Sequence, residues 1–541
     1  MRSCFAAIMV GLIGTTAAAQ PVVPPPSKLT VVISVDQFSS DLFDEYAPML
    51  QGGFARLRQG TVYPHAYQGH AATETCPGHS TILTGSRPSR TGIIANIWYD
   101  LSQKRSDKAV YCAEDERAAG SSSTIYTVSP MHLKVPTLGE YMKRQWPGSR
   151  TVAVAGKDRA AVMMTGQRPD QRWFWNGKTY ATDLKGATIP QAVVAGNAAV
   201  AALIAQPQAP LDPPALCAAK ARPVAVSGGG KPVGAGRFER AAGEVAKFRA
   251  SPAFDGATLA IAAGLVREMK LGKADSPDLI AVGLSATDYV GHTYGTEGQE
   301  MCLQLLSLDR DLGDFLKFLD GERIDYSVVL TADHGGNDIP EREREAGLAN
   351  AARVDPSVAA SVMGKMLGTK LGLTGPVLYG ETFGDMYIDT ALTAGERARV
   401  LKAAVDAYKM NRQVEAVFTH DQLARTPVST GTPDKWTILQ RARASFDADR
   451  SGDFVVLLKS RITPIADTSR GYVATHGSVW DYDRRVPIIF WRPGYPSQVV
   501  DQPVETVDIL PTIAASMGIA LAPGTIDGKC LPTAPGAVCG H

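Results

Sequence analysis

The sequence predicts an α/β protein: a central, mostly parallel sheet sandwiched by helices, with inserted cap segments. Two observations carry this. Short runs dense in Val, Ile and Leu recur along the chain with helical patterns between them, and strands alternating with helices build sheets covered on both faces. The polar residues richest in chemistry, Asp36, Asp288, Asp333 and His334, stand at or just beyond the ends of those runs. In open α/β sheets, ligands bind outside the carboxyl ends of the strands.

In chain order, MRSCFAAIMVGLIGTTAAAQ sets one Arg before an apolar run and closes with Ala-Ala-Ala before Gln20. That predicts a secretory signal peptide over residues 1–19, cleaved after Ala19. The run is too short to span a bilayer and no other stretch is a candidate, so no membrane anchor is expected. The mature chain, 20–541, is expected to be periplasmic or secreted. Five runs predict buried parallel strands: LTVVISVD (29–36), TVAVAG (151–156), DLIAVGLS (278–285), YSVVLTAD (326–333) and VPIIFW (486–491). Helical patterns include TLAIAAGLVREMK (258–270) and MCLQLLSLDRDLGDFLKFLD (301–320). VSGGGKPVGAG (226–236) is Gly-rich but lacks the GK[ST] ending of a phosphate loop, and is expected to be a flexible linker. Residues about 160–275 and 341–470 are loop-rich and less strand-like, which predicts insertions or a cap.

Composition excludes some partners. Lys+Arg number 55 and Asp+Glu 54, a formal charge of +1, which speaks against nucleic acid or an anionic membrane. Beyond Cys4, six cysteines remain: Cys76, Cys112, Cys217, Cys302, Cys530 and Cys539. An even number in an oxidising compartment suggests disulfides. Only Cys530–Cys539 is suggested by the sequence itself, as a short loop near the C-terminus.

A single Asp after a strand is ordinarily a turn residue or a helix cap. Three carboxylates brought to one sheet edge would repel one another unless a cation lay between them. Histidines strengthen the case. His292 follows Asp288 by four residues, the spacing of one helical face. His334 adjoins Asp333, and His476 opens HGSVWDYDRRVPIIFW. Mixed Asp and His donors without Cys suit zinc better than calcium or magnesium, which prefer oxygen. The remaining histidines, His65, His70, His79, His132, His420 and His541, are expected to be structural or exposed.

The ordered set VISVDQF, TETCPGHSTILTG, GIIAN, AGKDR, TDYVGH, TADHGG and THGS resembles the alkaline phosphatase superfamily, most closely single-chain bacterial alkaline phosphatases of PafA type with a threonine nucleophile. The resemblance runs from Asp36 to VETVDILPTIAASMGI (504–519). It implies an alkaline-phosphatase-like fold and two zinc ions per chain. One zinc would be held by Asp288, His292 and His476, the other by Asp36, Asp333, His334 and Thr75. It implies Thr75 as nucleophile, Asn96 as an amide on a phosphate oxygen, and Lys157 with Arg159 as the cations that mark monoesterases. No magnesium ligands are recognisable, and Lys157 is placed to supply charge there. Cys76 raises a sulfatase, but the required C-x-P-x-R pattern is absent: Pro follows Cys76 directly and Ser80 stands where Arg is needed.

The resemblance therefore implies an alkaline phosphatase acting on small phosphate monoesters through a phosphothreonine, most simply as a monomer. The alternative is a phosphodiesterase or nucleotide pyrophosphatase of the same superfamily; a non-catalytic zinc- or phosphate-binding periplasmic protein is a more distant one. Lys157 and Arg159 lie two residues apart after a strand, so in extended backbone they would leave one face together.

Overall fold

The computed structural model describes residues 25–532 and 534–539; the signal-peptide expectation and His541 lie outside them. The five anticipated strands all form, within a nine-stranded sheet. Its strands are β1 (Leu29–Val35), β2 (Thr61–Tyr67), β3 (Thr151–Ala155), β4 (Gln171–Trp175), β5 (Tyr180–Ala181), β6 (Asp278–Leu284), β7 (Tyr326–Thr331), β8 (Arg485–Trp491) and β9 (Gln498–Val499). The spatial order is β9-β2-β8-β7-β1-β6-β3-β4-β5. The block β7-β1-β6-β3-β4 is parallel throughout. β8 is the correction: it runs antiparallel to both β7 and β2. An apolar run encodes burial, not direction, so its orientation was not legible.

Alternation along the strands explains the two-sided core. Val31, Ile33 and Val35 of β1 and Ile280, Val282 and Leu284 of β6 join one apolar cluster, while Val32, Leu279 and Ala281 join the cluster on the other face. The first face is covered by α3 (Pro252–Glu268) and α5 (Gln299–Gly321), which contribute Leu259, Leu265, Leu308 and Leu312. The second is covered by α1 (Thr75–Ile82), α2 (Asp158–Thr165) and α6 (Ile509–Met517), through Ile82, Ala160, Met164 and Ile513. A further helix, α4 (Ala286–Tyr294), follows β6 directly.

Residues 378–458 contain a separate four-stranded antiparallel sheet with its own apolar cluster, including Met386, Val400, Tyr408 and Phe454. Between 160 and 275, β4 and β5 extend the central sheet and α3 packs on it. The Gly-rich stretch 226–236 is pinned rather than a free linker: Val224 and Val233 form a bridge, and the Gly234 and Gly236 amides donate to the Glu300 carboxylate. Among the described residues no helix is long and apolar enough to cross a membrane.

Candidate active site

Four neighbouring strands, β7, β1, β6 and β3, end almost level, Val35 lying beside Leu284 and Ala155 beside Gly283. The residues that follow are therefore delivered to one edge in the same spatial order: Asp333 and His334, then Asp36, then Asp288, then Lys157. Adjacent strands are about 4.8 Å apart, so these side chains must interact. His334 Nε2 lies 3.5 Å from Asp36 Oδ1 and 3.3 Å from Asp333 Oδ2. His292 Nε2 and His476 Nε2 each lie 3.3 Å from Asp288 Oδ1. Within α4 the four-residue spacing does set Asp288 and His292 on one face. Two ligand-like groups emerge, Asp288–His334–His476 and Asp36–Asp333–His334, with His334 common to both and His292 beside the first.

The second nitrogen of each imidazole is already committed. His292 Nδ1 meets the Ala474 carbonyl at 2.8 Å, His334 Nδ1 that of Gly335 at 2.8 Å, and His476 Nδ1 that of Thr73 at 2.9 Å. A carbonyl only accepts, so each Nδ1 carries the proton and each Nε2 turns a lone pair to the carboxylates. Burial holds His334 neutral, its pKa depressed to about 3, and lowers that of His476. Burial and the neighbouring Asp288 and Asp333 charges push Asp36 well above the usual carboxylate range. Asp288 is buried too, but the charge of Lys157 brings it well below that range. Asp36 Oδ1, Asp288 Oδ1 and His334 Nε2 are buried without a hydrogen-bond partner. Orphaned acceptors of this kind are costly, and three carboxylates facing neutral imidazoles form a ligand set that fits divalent metal.

Thr75 begins α1 as its first residue, with Glu74 at the cap position making no capping bond. It is therefore not the cap. Its hydroxyl instead lies 3.4 Å from Lys157 Nζ and 3.4 Å from Arg159 Nη2. α1 approaches the strand ends closely because Gly78 has no side chain: a Cβ there would come within 2.0 Å of the Asp333 carbonyl oxygen. Lys157 Nζ also pairs with Asp36 at 2.7 Å and Asp288 at 2.5 Å, and those two charges raise its pKa despite burial. The expectation that Lys157 and Arg159 share an extended face needs correction. Lys157 caps α2 and Arg159 lies in its first turn, so a helical turn, not a strand, brings both cations to Thr75.

Asn96 reaches the same place through its backbone. Its amide donates to Glu74 Oε2 at 2.6 Å, its carbonyl accepts from Cys112 N at 2.9 Å, and its side-chain oxygen accepts from Cys76 N at 2.8 Å. The side-chain NH₂ is left to donate elsewhere. The Cys76–Cys112 disulfide closes this clamp. Cys217 pairs with Cys302, and Cys530 with Cys539 as anticipated.

All ten expected site residues thus gather at one sheet edge, from the strand ends, the starts of α1 and α2, α4, and the loops that carry Asn96 and His476. Three contributors were not anticipated. Glu74 fixes Asn96. His79, expected to be merely structural, sets Nδ1 3.0 Å from Asp333 Oδ2 and 3.0 Å from the Thr75 carbonyl; its i+4 spacing from Thr75 was the available signal. Tyr111, whose hydroxyl donates to Asp158 at 2.7 Å, lies 3.4 Å from Arg159, and no local pattern could have found it.

Residues 30–479 match the profile of the type I phosphodiesterase / nucleotide pyrophosphatase family. The chain is 51% identical over 524 residues to alkaline phosphatase PhoK of Sphingomonas sp, covering 96% of this chain and 93% of that one. It is 48% identical to alkaline phosphatase PhoD of Zymomonas mobilis, covering 94% and 88%. Its fold is similar to the crystal structure of alkaline phosphatase PafA, with a TM-score of 0.81, 25% identity, and 95% and 99% of the two chains covered.

Proposed function

The chain belongs to the type I phosphodiesterase / nucleotide pyrophosphatase family of the alkaline phosphatase superfamily, and from that premise we propose that it is an alkaline phosphatase of small phosphate monoesters working through a phosphothreonine at Thr75. The observation that carries the reading is the approach of two cations, Lys157 and Arg159, to the Thr75 hydroxyl. A monoester presents a dianion and a diester only one charge, so paired cations beside the attacking oxygen favour the monoester. The naming of similar proteins from Sphingomonas and Zymomonas as alkaline phosphatases agrees.

Two zinc ions per chain complete the proposal. Asp36, Asp333, His334 and Thr75 would hold one, and Asp288, His292 and His476 the other. When bound, zinc supplies Lewis acidity that lowers the pKa of an oxygen nucleophile and offsets charge on the leaving oxygen. The residues do the rest. The Thr75 oxygen gives up its proton to water and forms a bond to phosphorus in line with the ester oxygen, whose bond to phosphorus breaks, and the alcohol leaves with a proton returned from water. Water then attacks the phosphothreonine, its OH bonding to phosphorus while its proton passes to Oγ1 as the Oγ1–P bond breaks, and inorganic phosphate departs. Arg159 and Lys157 hold non-bridging oxygens throughout, and the Asn96 NH₂ donates to a third. Export by the 1–19 segment to the periplasm or medium fits three disulfides.

The test combines two measurements on the zinc-loaded protein. p-Nitrophenyl phosphate should be hydrolysed much faster than bis-p-nitrophenyl phosphate, and protein quenched during turnover should carry phosphate on Thr75 by mass spectrometry. Thr75→Ser should keep part of the activity and Thr75→Ala almost none. A faster diester reaction, or near wild-type turnover by Thr75→Ala, would overturn the proposal.

A further inference from the structure

One cation at the mouth of the site is unaccounted for by this chemistry. Arg249 ends a short helix, Val245–Arg249, far from the metal-ligand strands in sequence. Its guanidinium carbon lies 4.7 Å from the centre of the Tyr289 ring. Lys157 Nζ lies 5.2 Å from the centre of that same ring. The two cations therefore flank one tyrosine, no farther apart than those two distances laid end to end. Among the described residues the Arg249 side chain makes no hydrogen bond and no ion pair, and its Nε is buried without a partner. Most arginines this close to a core are paired; in this chain Arg87, Arg172, Arg353 and Arg342 all meet carboxylates.

The neighbour of the Arg249 guanidinium is an aromatic ring, not a carboxylate. Tyr472 stacks on His292, ring centres 4.8 Å apart, and is 42% exposed. Among the described residues neither the Tyr472 nor the Tyr289 hydroxyl is hydrogen-bonded to another side chain or to the backbone. A phosphoryl group bound by Lys157 and Arg159 leaves Arg249 with no carboxylate partner beside Tyr289. An unpaired buried donor is expensive to maintain, and a guanidinium binds phosphate oxygens in parallel pairs.

We infer that Arg249, with the Tyr289 hydroxyl beside it, forms a second anion subsite that selects phosphate monoesters whose alcohol carries another phosphoryl group on a short carbon backbone. The inference rests on the phosphatase reading above and deepens it by naming a substrate class. The reaction remains hydrolysis: one phosphoryl group passes to Thr75 and then to water, while the second stays on the released alcohol, held by Arg249 until that product departs. The subsite acts on binding, so its loss should appear mainly in KM.

Propane-1,3-diol bisphosphate and propane-1,3-diol monophosphate differ only in the second group and make the comparison. The wild-type protein should prefer the bisphosphate in kcat/KM, and Arg249→Met, which keeps the apolar stem over Tyr289, should lower that preference by about tenfold or more, chiefly through KM. Arg249→Lys should retain part of the preference. Calorimetry with propane-1,3-bisphosphonate against propylphosphonate should show the same selective loss without turnover. An unchanged preference in Arg249→Met, or equal losses on both substrates and both phosphonates, would overturn the subsite while leaving the phosphatase standing. Failure of the wild-type protein to hydrolyse either ester would instead remove the phosphatase reading, and the inference with it.

Discussion

Lys157 and Arg159 both reach Thr75, yet their surroundings predict different consequences of removing each. Arg159 touches the Thr75 and Tyr111 oxygens at 3.4 Å and leaves its Nε without a partner. Its replacement by Ala removes a charged donor from the phosphoryl group and little else. A hydrogen bond to a charged group contributes about 1.5–3 kcal/mol, so kcat/KM for p-nitrophenyl phosphate should fall roughly 10- to 150-fold at about 1.4 kcal/mol per decade. The melting temperature should barely move. Lys157, 3% exposed, additionally pairs with Asp36 and Asp288. Stripping one partner from a buried ion pair costs about 3–5 kcal/mol, so Lys157→Ala should lose more activity and also lower the melting temperature by several degrees. Both variants should lose far less on bis-p-nitrophenyl phosphate, whose esterified oxygen has less charge to offset. Kinetics on both esters with scanning calorimetry on each variant decides the matter. Equal losses on the two substrates would show that the pair supports the fold or the metal ligands rather than the dianion, and a Lys157→Ala protein as stable as wild type would refute the ion-pair reasoning.

Chelation should abolish hydrolysis and zinc should restore it; full activity in protein shown by elemental analysis to be metal-free would contradict the two-zinc proposal. Glu74→Ala should release the Asn96 backbone and raise KM about tenfold, the loss of one charged hydrogen bond, whereas Glu74→Gln, which still offers an oxygen to that amide, should recover most of it; equal behaviour of the two variants in steady-state kinetics would argue against the clamp. Asp255 accepts from the Ala286 amide and from Gln304, and burial lifts its pKa to about 7. A carboxyl with a folded pKa above its unfolded value favours folding at low pH and loses that contribution as pH rises through about 7. Asp255→Asn should therefore gain on wild type in melting temperature between about pH 4 and pH 8, with the free Gln304 oxygen turning to meet the new amide; a gap that does not widen with pH would count against this.

The parallel strands were legible because a strand buried on both faces reads as an unbroken apolar run, so the first polar residue after it marks the sheet edge. That one rule located Asp36, Asp333 and, a little later, Asp288. The direction of β8 was not legible, since pairing partners are set by distant chain. The same holds for the cysteines: Cys530–Cys539 closes a short loop that sequence can suggest, while Cys76–Cys112 and Cys217–Cys302 are joined by the fold alone. Lys157 and Arg159 were found through the family resemblance, and the strand geometry offered for their pairing is replaced by the cap of α2. Arg249 had no signal at all, because its meaning lies in a tyrosine forty residues onward.

The order β7-β1-β6-β3 makes the sheet a ruler. Each ligand-bearing strand is held to its neighbour by backbone hydrogen bonds, and a slip of one residue would turn its terminal side chain to the opposite face. Distances among Asp333, Asp36, Asp288 and Lys157 are thereby set by the same bonds that hold the core, and cannot be retuned by a local change. Arg249, Tyr472 and the sheet within 378–458 lie on segments outside that ladder. An engineer seeking new substrates should vary those segments freely and leave the four strand ends alone, for the chemistry is graduated in the core while the choice of molecule is written on removable parts.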